Sequence, residues 1–454
     1  MQALASSYKD PSGYIFQHEQ EVYRAVNKIY LPQYEKLMNS GLYTELTKEG
    51  LLISHQEEPK LPKAADVEKI LKPVQIPLIS YAYEWSFSML QDAALCTLQN
   101  ALKGISFGMI LKDANTFNIQ FYQGKPILID TLSFDFYHEE ESWVAYRQFC
   151  ECFVAPLVLM KYCNPSLNKL LIAYPNGIPL TVCKSMLPLK AKWNLHVYLH
   201  VFLQSKVQQS SNSAPARKQV FTKQKMLTLL NGLYSFVKNL KPAADKTTWD
   251  NYYEETILSK EYLQEKKALV SKYLKQIPFG TLLDLGANEG EFSLLFKNTD
   301  KQIISVDEDR HCIEKLYLTC KTNKISNVQP LILDLTAPSA AIGWNNAERD
   351  TFFKRIKPDV TLALALIHHL CIAHNISIPQ IISLLHSISE FVIIEFVDKS
   401  DPKVMHLLAN RIDIFEHYHL DGFRQVALQK FDIIAEQSFS TASRTLFLLK
   451  RKAD

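Results

Sequence analysis

The sequence predicts two unlike domains, an α+β domain followed by an α/β domain with a mostly parallel sheet. The chain has 454 residues, which is too long for one hydrophobic core. From residue 281 onwards, short runs rich in Ile, Leu and Val alternate with helical patterns, as is typical of a buried parallel sheet covered by helices on both faces. A polar segment rich in Ser and Gln precedes that half. We therefore expect a first domain over 1–204, a linker over 205–220 and a second domain over 221–454.

The bulk composition is that of a folded globular protein, with 47% hydrophobic and 21% charged residues. No apolar run approaches the roughly 18 to 20 residues needed to span a bilayer, and the N-terminus lacks the pattern of a secretory signal. The eight cysteines show no metal-ligand or disulfide spacing, and Cys150 and Cys152 form an isolated pair. We expect free buried thiols, no bound metal and a cytoplasmic location.

The small net charge of +3 is unevenly distributed. Residues 152–244 contain twelve Lys and Arg and no Asp or Glu, which leaves 38 basic residues against all 47 acidic ones in the rest of the chain. Such a stretch either meets an anionic partner, such as nucleic acid, phosphate or acidic lipid, or pairs with the acidic remainder of the same protein. In the first case, the chain could be a non-catalytic partner-binding protein.

The first domain is predicted to contain short, mixed elements. Turn residues such as Ser40-Gly41 separate the helical patterns, and Gln-Gly-Lys separates two β-rich runs. The expected elements are a hairpin over 13–26, two short helices over 31–52, a helix over 85–102, a hairpin over 118–130 and an apolar helix over 143–163 that bends or breaks at Pro156.

The second domain is predicted to be regular. Helices are expected at 222–240, 254–276, 291–297, 310–322 and 378–389, and strands at 281–286, 303–307, 328–334, 359–366, 391–396 and 444–452. Continuous apolar strands of this kind are buried on both faces.

The stretch LLDLGANEGEF, residues 282–292, ends the first of these strands. In an open parallel sheet, ligands bind beyond the carboxyl ends of the strands. Gly286 and Gly290 remove side chains where a ligand would approach the backbone, and the next helix would offer free N–H groups. A dinucleotide fingerprint needs a middle glycine where Asn288 stands. Together with the leading Asp284, this spacing favours a single adenosine and therefore S-adenosylmethionine.

Two further acids end the next two predicted strands. Asp307, 21 residues after Gly286, suits the two hydroxyl groups of a ribose. Asp334 can accept a hydrogen bond from the adenine amino group. Since Asp is also common in turns at strand ends, three consecutive acids are much more specific than the glycine turn alone.

These motifs resemble those of class I S-adenosylmethionine-dependent methyltransferases, over about residues 249–454. DLGANEG resembles the first motif of that family, Asp307 its ribose acid and Asp334 its adenine-side acid. The resemblance implies a Rossmann-like domain that binds S-adenosylmethionine. The whole chain is also similar to a bacterial group of two-part, methyltransferase or nodulation-protein-like proteins, in the stretches SGLY, SYAYEWSFSML, LKDANTFNIQF, LIDTLSFDFY, ALALIHHL and FVDKSDPKV.

The fourth strand and its end, LALALIHHL, bear on the methyl acceptor. They lack the Asn/Asp-Pro-Pro-Tyr turn of enzymes that methylate amino groups of bases. His368 and His369 resemble the His-His-Leu stretch of several small-molecule methyltransferases, and either could take a proton from an oxygen nucleophile; the alternative is a pair of packed histidines. The predicted reaction is methyl transfer to a small-molecule or conjugated acceptor, more readily at oxygen.

For each of four other residues, the sequence leaves two alternative roles open. Glu395, near the end of the fifth strand, either lines the same crevice or is a paired carboxylate. Trp249, Tyr252 and Tyr253 either cover the cofactor or pack on the leading helix.

The first domain carries a second motif, formed by Asp113, Asn118 and Asp130. Its spacing resembles the H-R-D-x-x-x-x-N and D-F-G motifs of protein kinases, which implies Asp113 as base and the other two as metal ligands. However, Leu111 and Leu132 replace the histidine and the glycine, and no glycine-rich loop or V-A-I-K lysine precedes them. The first domain is therefore either a degenerate kinase-type C-lobe or a phosphotransferase or nucleotide-binding module.

Overall fold

The computed structural model describes residues 2–206, 221–242, 260–409 and 412–453. The chain divides into two compact units. Unit 1 contains residues 1–244 together with the segment 340–350, and unit 2 contains residues 245–339 and 351–454.

Unit 1 begins with an antiparallel sheet in the order β1-β2-β3-β5-β4. Its strands are β1 (Gln2–Ala3), β2 (Gly13–His18), β3 (Glu21–Asn27), β4 (His55–Glu57) and β5 (Val67–Pro73). The hairpin expected over 13–26 is present as β2 and β3, and Glu19 takes a left-handed backbone (φ 56°) in its turn. One face is buried through Phe16, Tyr23 and Ile70.

Two small antiparallel pairs follow in unit 1, β6 (Met109–Leu111) with β9 (Phe134–Phe136) and β7 (Ile119–Tyr122) with β8 (Lys125–Leu128). The helices of the unit are α1 (Leu31–Asn39), α2 (Leu42–Lys48), α3 (Phe87–Ser106), α4 (Tyr146–Phe149), α5 (Ala155–Tyr162), α6 (Leu170–Ala173), α7 (Leu180–Met186), α8 (Leu195–Val197) and α9 (Lys223–Asn239). The apolar helix does not break at Pro156: a π-helical segment, Cys150–Val154, joins α4 to α5, and the proline lies in the first turn of α5, where its missing N–H is tolerated.

Helix α9 belongs to unit 1, although the sequence places it in the second domain. Its buried side chains are Met226, Leu230, Leu233, Phe236 and Val237. The Gln91 amide on α3 donates hydrogen bonds to the carbonyls of Val237 (2.6 Å) and Leu240 (2.9 Å), which are at the end of α9. Of the expected linker, Ser205 and Lys206 continue a helix, and the remainder lies outside the described residues.

Unit 2 is built on a seven-stranded sheet in the order β12-β11-β10-β13-β14-β16-β15. Its strands are β10 (Thr281–Leu285), β11 (Gln302–Asp307), β12 (Val328–Ile332), β13 (Val360–Ala363), β14 (Phe391–Val397), β15 (Phe431–Ser438) and β16 (Arg444–Arg451). The first five are parallel, and β16 runs antiparallel between β14 and β15. The strand order reverses at β10, which pairs with β11 on one side and β13 on the other, so a ligand crevice is expected there.

Six of the seven strands coincide with predicted ones. β15 is not predicted, because its burial alternates and its outer half is exposed, so it lacks the continuous apolar run of the others. The helices of unit 2 are α10 (Lys260–Leu274), α11 (Arg310–Thr322), α12 (Phe352–Arg355), α13 (Ile378–Ile388), α14 (Pro402–Leu408) and α15 (Leu420–Lys430). In neither unit do the described residues include a helix that combines the length and apolarity needed to cross a bilayer.

Candidate active site

The turn after β10 is fixed by hydrogen bonds to the neighbouring strand. The N–H groups of Gly286 and Ala287 both donate to the carbonyl of Val306, each at 2.9 Å. Gly286 and Asn288 take left-handed backbone conformations (φ 72° and 50°), which Gly and Asn adopt most readily. The turn therefore presents backbone atoms to the space above the sheet.

Asp284 is a buried carboxylate one residue before the end of β10, with 2% of its surface exposed. It accepts a hydrogen bond of 2.6 Å from the Ser293 hydroxyl, which in turn accepts one from Ser305. Burial raises the pKa of Asp284 to about 6. This carboxylate is thus oriented by the chain through Ser293.

Asp307 ends β11 and supports the glycine turn. Its two oxygens accept hydrogen bonds from the backbone N–H groups of Asn288 and Asp309, each at 2.8 Å. Burial raises the pKa of Asp307 to about 6 as well. Each oxygen keeps a second lone pair with which it can accept a ligand hydroxyl.

Asp334 lies two residues after β12 and adopts a turn of its own. One carboxylate oxygen accepts from the Thr336 backbone N–H at 2.8 Å and from its hydroxyl at 2.6 Å. Asp334 therefore forms the hydrogen-bonded turn expected of an Asp at a strand end. These hydrogen bonds orient its carboxylate, which remains in the crevice.

The structure brings the predicted cofactor residues to one place. A cavity of about 470 Å³ above the carboxyl ends of the strands is lined by Asp284, Gly286, Asn288, Asp307 and Asp334. We call this cavity the cofactor cleft.

Gly290 does not line the cofactor cleft, contrary to the prediction that it clears space for a ligand. Its backbone is left-handed (φ 83°), and a Cβ atom there would lie 2.5 Å from the Leu316 Cδ1 atom on α11. The glycine is thus required for the approach of the turn to α11.

The helix expected over 291–297 is a single 3₁₀ turn, Ser293–Phe296. The chain leaves the helical conformation at Lys297, and Asn298 takes a left-handed backbone (φ 60°). A single turn of this type has little macrodipole, so the diphosphate-binding helix terminus of dinucleotide sites is not available at this position.

His368 and His369 occupy different environments. His369 lines the cofactor cleft, and burial lowers its pKa to about 4. His368 is fully buried, and neither of its ring nitrogens has a hydrogen-bond partner among the described residues. Burial lowers the pKa of His368 well below its usual value, which fits a packed histidine. Of the predicted pair, His369 is the one that lines the cleft.

Sequence reasoning missed several residues that line the cleft. Ala365, after β13, takes a left-handed backbone (φ 52°), which is uncommon for a residue with a Cβ and costs on the order of 1 kcal/mol. His374 and His406 also line the cleft. Strain at a cleft is a structural signal that composition does not reveal.

A buried network of charges adjoins the cleft, because Tyr262, Lys266 and Arg444 belong to its lining. Glu395 is fully buried and does not line the cleft. The Lys266 ammonium lies 2.6 Å from its carboxylate. The Tyr262 hydroxyl also donates to Glu395, and Arg444 forms a second pair with Asp401 at 2.7 Å. Glu395 is therefore a paired carboxylate.

The pKa of Glu395 follows from this pairing. Burial alone would raise it, but the adjacent charges of Lys266 and Arg444 lower it overall. Trp249, Tyr252 and Tyr253, which the sequence suggests for this side of the site, lie outside the described residues.

The kinase-like residues of unit 1, Asp113, Asn118 and Asp130, also come together, but their polar atoms bind other groups of the protein. The Asn118 amide donates to Asp113 at 2.8 Å. Asp130 pairs with the Arg24 guanidinium at 2.6 Å and accepts from the Ser133 hydroxyl at 2.8 Å. Both side chains of the Arg24–Asp130 pair are mostly buried, at 12% and 13% exposure.

A magnesium ion at Asp130 would have to displace the Arg24 cation. Among the described residues, no cluster of three or more His, Cys, Asp or Glu side chains has an arrangement that could hold a metal ion. Asp113, Asn118 and Asp130 are thus part of a polar network of protein groups.

The cofactor cleft fits the adenosine of S-adenosylmethionine. Carboxylates at 307 and 334 can accept from ribose hydroxyls and from an adenine amino group. A Cβ at Gly286 would lie 3.4 Å from the Leu366 side chain, which also lines the cleft, so the glycine widens the space.

Comparison with solved structures gives partial matches that cover less than half of the chain. PH0226 from Pyrococcus horikoshii OT3 is 19% identical, with 44% of this chain and 98% of that chain covered and a TM-score of 0.32. The N-methyltransferase NodS from Bradyrhizobium japonicum WM9 is 10% identical, with 43% and 99% covered and a TM-score of 0.32. Magnesium protoporphyrin IX methyltransferase ChlM from Synechocystis PCC 6803 is 13% identical, with 45% and 93% covered and a TM-score of 0.32.

No protein-family model matches the chain. In contrast, the nodulation protein NoeA of Rhizobium meliloti (strain 1021) is 30% identical over 463 residues, which covers 99% of this chain and 96% of NoeA. This similarity extends through both units. The chain belongs to the family of the nodulation protein NoeA.

Proposed function

We propose that unit 2 transfers the methyl group of S-adenosylmethionine to an oxygen atom of a small-molecule or conjugated acceptor. The observation that carries this proposal is the convergence of three strand-end carboxylates, Asp284, Asp307 and Asp334, on one cavity. The acceptor would enter the same cleft beside His369.

S-adenosylmethionine supplies an activated methyl group on a sulfonium, so the tasks of the chain are to position the acceptor and to remove its proton. Asp307 and Asp334 would hold the ribose and adenine. We assign the proton to His369 because it is the member of the predicted histidine pair that lines the cleft. Its lowered pKa of about 4 keeps the imidazole neutral at physiological pH, but it also makes the imidazole a weak base.

Calorimetry with S-adenosylhomocysteine tests the cofactor assignment. We expect binding to the wild type, and at least about tenfold weaker binding to Asp307→Ala, since a charged hydrogen bond contributes roughly 1.5–3 kcal/mol. Asp300→Ala is the matched control, because Asp300 is a surface aspartate whose side chain is 84% exposed. Absence of heat at millimolar ligand, or equal affinity in both variants, contradicts the proposal.

The acceptor is to be sought with a labelled methyl donor in metabolite extracts, with mass spectrometry of the product. Because the family includes a nodulation protein, extracts of nodulating bacteria belong in the set. Once a product is known, His369→Gln should lower kcat by about 10²–10⁴ with little change in affinity for S-adenosylhomocysteine. Full activity in that variant, or a methylated nitrogen in the product, would refute the oxygen assignment and leave methyl transfer itself intact.

A cytoplasmic location agrees with the state of the thiols. All eight cysteines are free, and seven of them are buried. Fractionation of cells that produce the chain would test this location.

A further inference from the structure

The segment 186–203 of unit 1 exposes an unusual amount of apolar surface. Of the 19 large hydrophobic side chains that are exposed among the described residues, seven lie in these 18 positions. They are Met186, Leu189, Trp193, Leu195, Tyr198, Leu199 and Leu203, and we call them the apolar patch. Contiguous exposed patches of this kind usually mark an interaction surface.

Local structure explains why these side chains point outward together. Between α7 and the end of a π-helical segment, Tyr198–Leu203, the chain forms short consecutive helical turns. Inward positions such as Ala191, Val197 and Val201 are fully buried and anchor the segment. Leu195, Leu199 and Leu203 recur every four residues on the opposite side, as on an amphipathic helix.

The most exposed side chain of the apolar patch is a tryptophan, a residue type that is enriched at bilayer interfaces. Trp193 is 91% exposed, Leu189 75% and Leu195 66%. Trp and Tyr are enriched at the level of lipid headgroups, since they combine an apolar ring with a polar group. Exposed Leu and Met side chains suit a hydrocarbon boundary better than the stacked bases or phosphates of nucleic acid.

The charge around the patch complements an anionic surface. Lys184, Lys190, Lys192 and Lys206 flank or interrupt it, and none of the four has an ion pair within the described parts of the chain. No Asp or Glu occurs from residue 152 to 244. Each Lys near an anionic leaflet raises the affinity for the membrane about fivefold.

We propose that unit 1 docks on the surface of an anionic lipid bilayer, with the apolar patch inserted at the headgroup level and its lysines against acidic headgroups. The apolar patch shares no residue with the lining of the cofactor cleft, and the proposal does not depend on the proposed methyl transfer. The anionic lipid surface would be the partner of residues 152–244, the stretch without Asp or Glu.

Vesicle sedimentation with the full-length chain tests the proposal. We expect binding to phosphatidylcholine vesicles that contain about 30% phosphatidylglycerol, and much weaker binding to phosphatidylcholine alone or at about 0.5 M NaCl, where charges are screened. The triple variant Trp193→Ser, Leu195→Ser, Leu199→Ser should lower the partition coefficient by at least about tenfold. Lys190→Glu with Lys192→Glu should lower it by at least about tenfold as well.

Trp344→Ser is the matched control, because Trp344 is also highly exposed, at 76%, and lies outside the patch. Its partition should equal that of the wild type, and all variants should keep the thermal midpoint of the wild type because only exposed side chains change. Vesicle binding should shift the tryptophan fluorescence of the wild type to shorter wavelength. Trp193→Phe should still bind vesicles but should lose this blue shift.

Three outcomes would overturn the proposal: no vesicle binding, vesicle binding that the patch variants leave unchanged, or preferential retention on nucleic acid without vesicle binding. A concentration-dependent dimer that the triple variant abolishes, with no vesicle binding, would instead assign the patch to a second copy of the chain.

Discussion

Asp284 and Asp307 are carboxylates that lose most of their hydration in the fold, and burial raises the pKa of each to about 6. In the free protein, both therefore bind protons more tightly when folded than when unfolded. Their contribution to stability consequently decreases as the pH rises from about 4 to about 6. Ionised carboxylates are nevertheless what ribose hydroxyls require as acceptors.

The pH dependence of cofactor affinity follows from these raised pKa values. Under the proposed role, the ionised carboxylates hold the ribose, so the affinity for S-adenosylhomocysteine should be constant above pH about 6 and fall below it, by up to about tenfold per unit for one required carboxylate. Calorimetry between about pH 5 and pH 8 would measure this. Asp307→Asn should bind weakly with a flatter profile, and a wild-type affinity that does not change across pH 6 would contradict the assignment.

Gly286 and Gly290 share a left-handed backbone but differ in what a side chain would meet. Gly290→Ala should cost about 1–3 kcal/mol of stability, because its Cβ would overlap Leu316, and chemical denaturation would show this. Gly286→Ala should cost less, about 1 kcal/mol for the backbone alone, but should weaken S-adenosylhomocysteine binding more. The reverse order in both measurements would contradict the packing role of Gly290.

The sequence predicts the strand-end acids because each follows an apolar run directly and the carboxyl ends of parallel strands meet at one edge. It does not predict Tyr262 or Arg444, whose side chains meet at 3.2 Å although they are 182 positions apart. Nor does it distinguish the buried His368 from His369, because the directions of two adjacent side chains depend on the backbone of the turn after β13.

At the level of elements, continuous apolar strands are recognisable from sequence, whereas half-exposed ones such as β15 are not. Helix α9 is predicted with nearly correct bounds but assigned to the wrong unit. Its amphipathic pattern requires a partner surface without specifying which one, and the Gln91 hydrogen bonds to its last carbonyls are a long-range feature.

Helix α10, strand β14 and strand β16 are joined by the buried pair of Lys266 and Glu395 and its neighbour Arg444. Lys266→Met should destabilise unit 2 by about 3–5 kcal/mol, because it leaves a buried carboxylate with less positive charge. Adding Glu395→Gln should recover part of that loss. Denaturation of both single variants and the double variant would measure the coupling, and additive effects would show that the pair contributes nothing specific.

On the scale of the whole chain, the division into units is only partly visible in the sequence. The segment 340–350 belongs to unit 1, where Glu348 accepts hydrogen bonds from Tyr8 (2.5 Å) and Lys9 (3.1 Å). The segment AAIGWNNAERD has no periodicity that distinguishes it from an ordinary loop of unit 2. Unit 1 therefore draws on a segment far away in sequence.

The two units should also differ in which ligands they bind. S-adenosylhomocysteine should raise the thermal midpoint of the full chain, whereas ATP with magnesium should leave it unchanged, because Arg24 already neutralises Asp130 in the kinase-like network of unit 1. A ligand at about 100 times its Kd would stabilise by about 2.7 kcal/mol, so binding would be visible in a thermal shift. A shift with ATP and magnesium that Asp130→Asn abolishes would contradict this expectation and establish a nucleotide site. Arg24→Gln is the matched test, since it removes the cation and keeps a hydrogen-bond donor. If that variant gains a magnesium-dependent shift, the Arg24 charge alone excludes the metal. If it gains none, the missing glycine-rich loop is the reason.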